Sequence, residues 1–221
     1  MRAKDLINYM IPPLRLEDDI SKCMKWMEEL RVPQLPVLSE GIFVGFLSEE
    51  TIFNLDKAYE KIQDYELSAV SCIVQENQHY YDVVRLAYEN HSSLVAVISE
   101  NEYKGVISVQ DVIEAYAKTA SVNLPGGIIV ISLKQIDYSL SEISRLVESE
   151  GYKILSSYVM TDLADSAIIR LTLKLNKEDL GPIDATFIRF GYKVEDQFSN
   201  KPKDGNDKER LDMLMKYLNL S

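Results

Sequence analysis

The chain has 221 residues, of which 46% are apolar and 27% charged, and its formal charge at pH 7 is −11. This length suits two small domains, and the composition is that of a folded protein. The acidic balance argues against nucleic acid and anionic membrane as partners, because both require a concentrated basic surface. No apolar run reaches the length of a membrane helix, and the first residues lack a signal-peptide core. The sequence therefore predicts a cytoplasmic protein.

The residues that usually carry catalysis or bind metals are sparse. The two cysteines, Cys23 and Cys72, lack the spacing of a disulfide framework or zinc site, and the two histidines, His79 and His91, add no ligand set. Nucleophile–base and phosphate-loop motifs are also missing. We expect reduced thiols, no metal, no catalytic residue and no enzymatic activity.

The first half of the chain contains one unit twice. Gly45–Thr51 (GFLSEET) and Gly105–Asp111 (GVISVQD) each contain a Gly, two apolar residues and a Ser, and the two stretches are 60 residues apart. The same offset of 60 residues aligns Ser39-Glu40 with Ser99-Glu100 without a gap. Such a period indicates a repeated supersecondary unit. Each copy is predicted to contain an extended segment, a helix, two strands and a second helix. The predicted buried stripes of the first helices are Ile20, Cys23, Met24, Met27 and Leu30 in copy one, and Tyr80, Val83, Val84 and Ala87 in copy two. A charge-alternating run over 55–66 predicts a solvated helix between the copies.

The junction between the second strand and the second helix is the candidate site of each copy. Ser48 and Ser108 stand at the predicted helix N-caps, where unpaired N–H groups favour phosphate. A Ser hydroxyl there can bond phosphate or ribose, and Asp111, one turn later, can accept both hydroxyls of a ribose. Helix capping explains the same residues without a ligand, and the spacing alone favours that explanation.

The two stretches, preceded by Pro36-Val37-Leu38 and Ala96-Val97-Ile98, resemble a tandem pair of CBS domains. In that family two repeats pack sheet against sheet and form two clefts, which commonly hold AMP, ATP or S-adenosylmethionine. The resemblance implies that the Ser and Asp contact phosphate and ribose, and that apolar strand residues enclose the adenine. The implied residues are Ile73, Ser93, Val95, Gly105, Val106, Ser108 and Asp111 in the second cleft, and Pro33, Leu35, Gly45, Ser48 and Thr51 in a weaker first cleft.

The first cleft departs from the family pattern. Thr51 replaces the Asp, and a hydroxyl cannot act as a charged acceptor with two oxygens. Glu49 and Glu50 beside it would repel phosphate. The sequence therefore predicts one adenosine site, in the second cleft, or none.

After a boundary at Ser121–Gly127 the order of predicted elements is β-α-β-β-α-β, the ferredoxin-like plan. Following a CBS pair, it resembles an ACT domain, and the layout is similar to acetoin-utilisation-type CBS–ACT proteins. That family often binds amino acids at the loop after its first strand. Here this loop, Lys134–Tyr138, has Asp137 but neither Pro nor Gly, which favours a dimerisation or protein-contact role. The predicted buried stripe of its first helix is Leu140, Ile143, Leu146 and Val147.

The predicted fold class is α+β, with two α/β CBS repeats that pack through their sheets and a ferredoxin-like βαββαβ ACT-like domain. The predicted boundaries are 1–60 and 61–120 for the repeats, 121–126 for a linker, 127–198 for the ACT-like domain, and 199–221 for a polar linker and an amphipathic C-terminal helix. We expect a non-catalytic homodimeric regulator that needs no cofactor, senses an adenosine nucleotide, and signals through the ACT-like domain to an unidentified protein. Two alternatives stay open, a constitutive dimeric scaffold with vestigial clefts and an amino-acid sensor using the ACT-like domain.

Overall fold

The computed structural model describes residues 1–54 and 60–199, in two compact units, Met1–Tyr116 and Ala117–Ser221. Each repeat of the first unit has the order β-α-β-β-α. The first contains β1 (Leu14–Arg15), α1 (Ile20–Leu30), β2 (Gln34–Ser39), β3 (Ile42–Ser48) and α2 (Glu49–Phe53). The second contains β4 (Ile73–Gln75), α3 (Tyr80–Glu89), β5 (Leu94–Ser99), β6 (Glu102–Ser108) and α4 (Val109–Thr119).

The two three-stranded sheets have the same pairing, displaced along the chain by one repeat. Val37 pairs with Gly45 in the first sheet and Val97 with Gly105 in the second, and each antiparallel pair has a bulge one residue later. Both sheets also have a parallel outer strand, β1 beside β2 and β4 beside β5. The repeat predicted from the sequence is thus confirmed at the level of the backbone.

Each repeat is completed by the segment that precedes the other repeat. Asn8 forms a β-bridge with Val106 of the second repeat, and Ser68 forms the equivalent bridge with Phe46 of the first. Strands β2 and β5 contact each other, as do β3 and β6, so the sheets of the two repeats meet in one core.

The solvated helix predicted over 55–66 is wrong in the part that the structure describes. Residues 55–59 lie outside it, and Ile62–Asp64 form a single 3₁₀ turn instead. The Ile62 side chain is fully buried and Tyr65 is 5% exposed, because this segment packs on the first repeat. The alternating charges of this run gave no indication that the Ile62 and Tyr65 side chains are buried.

The core of the first unit forms where the predicted helix stripes face the sheets. Cys23, Met27, Tyr80 and Val83 are buried as predicted. The prediction is wrong for Met24 and Val84, which occupy equivalent positions in the two repeats and are 38% and 44% exposed. Each helix therefore buries a narrower stripe than its apolar periodicity predicted.

The second unit is a four-stranded antiparallel sheet with two helices. Its elements are β7 (Ile128–Lys134), α5 (Leu140–Ser149), β8 (Ile154–Thr161), β9 (Ile168–Leu175), α6 (Gly181–Arg189) and β10 (Lys193–Phe198). The sheet order is β10-β7-β9-β8, in which the first and third strands are central. This is the ferredoxin-like arrangement. The predicted α+β fold class is confirmed.

The helices of the second unit pack on the sheet through a shared core. Ile143, Leu146 and Val147 of α5 are buried as predicted, whereas Leu140 is 43% exposed.

The predicted polar linker over 199–207 and the helix over 208–220 lie, apart from residue 199, outside the described residues. Among the helices in the described part of the chain, none is long and apolar enough to cross a membrane.

Candidate functional site

The candidate site of the second repeat is the junction where β6 ends and α4 begins. The Asp111 N–H donates to the Ser108 hydroxyl oxygen (3.1 Å), while the Ser108 N–H (2.9 Å) and O–H (2.5 Å) donate to Asp111 Oδ2. This reciprocal arrangement caps the 11-residue helix α4 and fixes the carboxylate. Both side chains are half-buried, so they remain accessible to a small molecule.

A third residue, Asn8, completes this junction from the N-terminal segment. Its side-chain amide donates to the Asp111 carboxylate at 3.3 and 3.5 Å, and its backbone N–H donates to the Val106 carbonyl at 2.8 Å. The next two side chains, Tyr9 and Met10, are 79% and 76% exposed. Sequence reasoning missed these three residues, although the repeat period relates them to Ser68, Ala69 and Val70 in the other repeat.

Gly105 allows this segment to approach β6. Its φ is +147°, a conformation that side chains disfavour. A Cβ at this position would lie 2.5 Å from Ile7 Cγ2. The equivalent Gly45 has φ +145°, and its Cβ would lie 2.8 Å from Leu67 Cβ. Both motif glycines therefore have a structural role that needs no ligand.

The candidate site of the first repeat has the same backbone but a different chemistry. The Ser48 hydroxyl accepts from the Thr51 N–H at 3.1 Å and lies 2.9 Å from the Thr51 hydroxyl. Helix α2 spans only Glu49–Phe53, and its first two side chains are exposed glutamates. This junction lacks a carboxylate equivalent to Asp111 and has acidic groups where a phosphate would approach.

The other predicted site residues fall into two groups. Leu35, Val95 and Val106 are at most 1% exposed, so they belong to the core and offer a ligand no side-chain surface. Ile73 is half-buried on β4, and Pro33 is exposed, with its carbonyl accepting from the Glu49 N–H at 2.9 Å.

Ser93, another predicted site residue, has a buried hydroxyl group without a hydrogen-bond partner among the described residues. Its carbonyl accepts from the Val109 N–H at 3.0 Å, which joins the start of β5 to the start of α4. Its hydroxyl oxygen is buried, and among the described residues it has no hydrogen-bond partner. A buried hydroxyl in this state costs free energy, which a ligand atom or water can recover.

Two of the basic residues that could answer a phosphate, Lys104 before this junction and Arg85 on α3, are already paired. Lys104 lies 2.6 Å from Glu102, and this hydrogen bond raises the pKa of Lys104 and lowers the pKa of Glu102. Arg85 pairs with Glu89 at 2.9 Å and with Asp82 at 3.4 Å. A bound phosphate would therefore have to compete for these cations.

The remaining candidate residues lack the geometry of a catalytic or metal site. Cys23 and Cys72 are free, and burial raises their pKa to about 12 and about 11, so both are protonated thiols at neutral pH. His79 is exposed at the N-cap of α3, where Nδ1 accepts from the Tyr81 N–H at 3.4 Å. Within the described residues no three His, Cys, Asp or Glu side chains are placed to hold a metal.

The family comparison decides the identity of the second repeat. Its residues 72–118 match the family model described as the CBS domain. These residues form a CBS domain. Because the first repeat has the same element order and strand register, the predicted CBS domain pair is confirmed. No curated protein matches the chain significantly.

Several solved structures are similar to about half of the chain. A CBS domain pair/ACT domain protein from Thermotoga maritima is 21% identical, with a TM-score of 0.47, and the match covers 53% of this chain and 98% of that one. CBSX2 in complex with AMP is 18% identical over 53% of this chain and 96% of that chain, with a TM-score of 0.47. The CBS domain of a bacterial CNNM/CorC family Mg²⁺ transporter in complex with ATP is 14% identical over 52% and 85%, with a TM-score of 0.43.

Proposed function

We propose that this protein is a non-catalytic regulator that binds an adenosine nucleotide, such as AMP or ATP, or S-adenosylmethionine at the Ser108/Asp111 junction. The CBS match at residues 72–118 supports this proposal, because such modules commonly bind adenosine derivatives and act as regulators. One observation carries it for this chain. Asp111 is a half-buried carboxylate held in place by Ser108 and Asn8, and among the described residues the one contact of its Oδ1 is a long one, from the Asn8 amide at 3.5 Å.

The chemistry of the junction favours a ribose. A fixed carboxylate oxygen can accept a hydrogen bond from a sugar hydroxyl without losing side-chain entropy on binding. The exposed Tyr9 side chain offers a flat apolar surface close to this junction. The adenine is proposed to bind against this surface and the half-buried Ile73. The first cleft, with Thr51 and two glutamates, is proposed to stay empty.

We further propose that nucleotide binding is relayed through the second, ACT-like unit. Helix α4 begins at the site and spans Val109–Thr119, and the second unit follows it directly in the sequence. A ligand shifts such an equilibrium only by its differential affinity for the two states. The proposed target is a second protein, and the proposed assembly is a cytoplasmic homodimer.

Thermal unfolding of the full chain with AMP, ADP, ATP, S-adenosylmethionine and amino acids tests the proposal. A ligand at ~100 times its dissociation constant adds about 2.7 kcal/mol of stability, which is easily detected. We expect a shift with an adenosine compound in the wild type. Asp111→Thr, which gives the second site the residue of the first, should weaken binding by about 1–3 kcal/mol.

Matched variants separate the alternatives. Thr51→Val changes the equivalent residue of the first cleft and should leave the nucleotide response intact. Asp137 lies in the exposed 3₁₀ turn Gln135–Asp137 of the second unit, so Asp137→Asn tests an amino-acid site there. A shift with amino acids only, abolished by Asp137→Asn, would assign sensing to the ACT-like unit. A response to none of the compounds would favour the scaffold.

A further inference from the structure

The outer strand β8 of the second unit has a stretch without a neighbour on one side. In the sheet order β10-β7-β9-β8 it pairs only with β9. Residues 157–161 of this strand, called the free edge below, are all exposed. Three of them are large and apolar, Tyr158 (49% exposed), Val159 (43%) and Met160 (54%). Because successive side chains of a strand point to opposite faces, the free edge is uncovered on both faces of the sheet.

The pairing with β9 shows which backbone groups lie along the free edge. The Asp162 N–H donates to the Ile168 carbonyl at 3.0 Å, and residues 156–161 continue this antiparallel register without a bulge. The N–H and C=O groups of an antiparallel strand point alternately to its two sides, so those of Ser157, Val159 and Thr161 point away from β9. In the part of the chain that the structure describes, these three N–H groups donate no hydrogen bond.

The opposite edge of the same sheet is protected. Strand β10 contains three charged residues, Lys193, Glu195 and Asp196, and its pairing with β7 has a bulge between Val194 and Asp196. Charged side chains and bulges hinder the addition of another strand. The free edge of β8 (SYVMT) contains no charged residue, no proline and no bulge. The sheet can therefore accept a further strand beside β8 but not beside β10.

The surroundings of the free edge disfavour a second copy of this chain as its occupant. Ser121 Oγ donates to the Leu155 carbonyl at 3.4 Å, so the strand is already covered just before the free edge. In a pair of copies related by a two-fold axis at Val159, Leu163 of one copy would oppose Leu155 of the other. The loop after β8 would then overlap with the segment that contains Ser121. A short extended segment of another protein avoids this overlap.

Acidic groups after the free edge indicate the charge of such a segment. Asp162 and Asp165 follow β8 and accept hydrogen bonds from the loop N–H groups of Ala164 (2.8 Å) and Ala167 (2.9 Å). Arg170 lies 2.8 Å from Asp162, whereas Asp165 has no ion pair within the described residues. The whole chain carries a formal charge of −11. A basic residue at this end of the segment would therefore be attracted both locally and at long range.

We propose that the free edge of β8 binds a short extended segment of a second protein, which adds a fifth strand to the sheet. The segment pairs with the outward backbone groups of the free edge, packs apolar side chains beside Tyr158 and Met160, and carries Lys or Arg at the end next to Asp165. Strand addition obtains affinity from the main chain and specificity from alternate side chains. The inference rests on the proposed function in one respect, that the target of the relay is a second protein.

Selection from a phage-displayed library of short random peptides, with the full chain as bait, tests the proposal. Peptides that also bind Val159→Pro are removed. Because the Val159 N–H points away from β9, proline at this position breaks no hydrogen bond of the sheet and suits an edge strand. We expect the remaining peptides to be rich in β-branched and aromatic residues and to contain Lys or Arg.

Fluorescence anisotropy with a selected peptide, synthesised with a fluorescein label, measures the effect. The dissociation constant should be ~10-fold or more higher for Val159→Pro, because this variant lacks one donor and its ring obstructs the added strand. Gln197→Pro is the matched control, since Gln197 is exposed on the other outer strand, β10, and pairs with Ile129. It should bind the peptide as the wild type does. Thermal unfolding without ligand checks that both variants fold.

Two further measurements separate this inference from the nucleotide site. Asp111→Thr should still bind the selected peptide, and Val159→Pro should keep the thermal shift with an adenosine compound. Removal of every peptide in the step with Val159→Pro would overturn the proposal, as would equal affinity of that variant and the wild type. A wild-type dimer that dissociates in Val159→Pro would show that a second copy occupies the free edge and would also overturn it.

Discussion

Asn8 and Asp111 are joined by hydrogen bonds across 103 residues of sequence, with the Asn8 amide nitrogen 3.3 and 3.5 Å from the two carboxylate oxygens. This contact attaches the N-terminal segment to the first turn of α4. Asp111, which accepts the Ser108 N–H within the helix cap, therefore also binds the segment that lies against β6. A change at either residue should affect both stability and the proposed ligand site.

Replacement of Asn8 by Asp should destabilise the protein in a pH-dependent way. Two carboxylates would then face each other at hydrogen-bond distance, which disfavours their joint ionisation. We expect a loss of about 1–2 kcal/mol at pH 7, which becomes smaller near pH 4 as one carboxyl takes up a proton. Urea unfolding at both pH values measures the difference. Asn8→Ser, which introduces the residue found at Ser68, should lose less stability and show little dependence on pH.

Replacement of Gly105 by Ala should destabilise the fold more than the same change at Gly41. At Gly105 the new methyl group meets Ile7 Cγ2 at 2.5 Å and φ is +147°, while Gly41 has φ +83° and no atom within 4 Å. Backbone strain alone costs about 1–2 kcal/mol, and the steric overlap adds about 1–3 kcal/mol at Gly105. Chemical denaturation of both variants gives the comparison. Equal losses would contradict the close approach of the N-terminal segment to β6.

The repeat was predictable because its determinants are local. The motif glycines and the Ser48 and Ser108 caps each lie in a short stretch of sequence, and the same short stretch occurs twice without a gap. The pairing of each repeat with the segment that precedes the other repeat was not predictable. Asn8 and Ser68 form bridges with strands that are distant in sequence, and no motif marks either residue. For the same reason the site was predicted at Ser108 and Asp111 but without Asn8.

The sequence also failed to predict which apolar residues of the helices are exposed. Periodicity assigned Met24, Val84 and Leu140 to the core, since an apolar residue at helical spacing usually faces inward. The structure places all three at the surface. An exposed apolar residue at helical spacing has the same sequence pattern as a core residue, so periodicity could not distinguish exposed from buried positions.

The two thiols should be unreactive in the folded protein and should make its stability fall at high pH. Burial raises the pKa of Cys23 to about 12 and of Cys72 to about 11, from 9.0. Above pH 9 the unfolded chain releases these protons while the folded chain retains them, so unfolding is favoured by about 1.4 kcal/mol per thiol and pH unit. Urea midpoints from pH 8 to 11 measure this loss.

Thiol titration provides an independent check on the cysteines. A disulfide reagent at pH 8 should label neither cysteine in the native protein and both in urea, because the thiolate is the reactive form. Cys23→Ala and Cys72→Ala should each flatten the loss of stability above pH 9. Rapid labelling of the native protein would show that one of the buried positions opens to solvent.

Arg170 should matter more to the second unit than an ordinary surface ion pair does. Its guanidinium lies 2.8 Å from Asp162 and 2.8 Å from Glu195, and so connects the end of β8 to β10. Two backbone N–H groups, of Ala164 and Asp165, are the main cause of the lowered pKa of Asp162, and Arg170 adds to it. This lowering stabilises the fold above the usual carboxyl pKa and is lost as the pH falls through and below that range.

Arg170→Met should therefore destabilise the protein at pH 7 by about 1 kcal/mol, because two charge-assisted hydrogen bonds are lost. Lys153→Met is the matched control, since Lys153 lies 2.9 Å from Glu148 in a pair whose side chains are 68% and 58% exposed. Pairs of that kind contribute about 0–1 kcal/mol. Urea unfolding at pH 7 and pH 3 compares them, and the effect of Arg170→Met should shrink at the lower pH. An effect no larger than that of Lys153→Met at pH 7 would show that Arg170 does not hold β8 and β10 together.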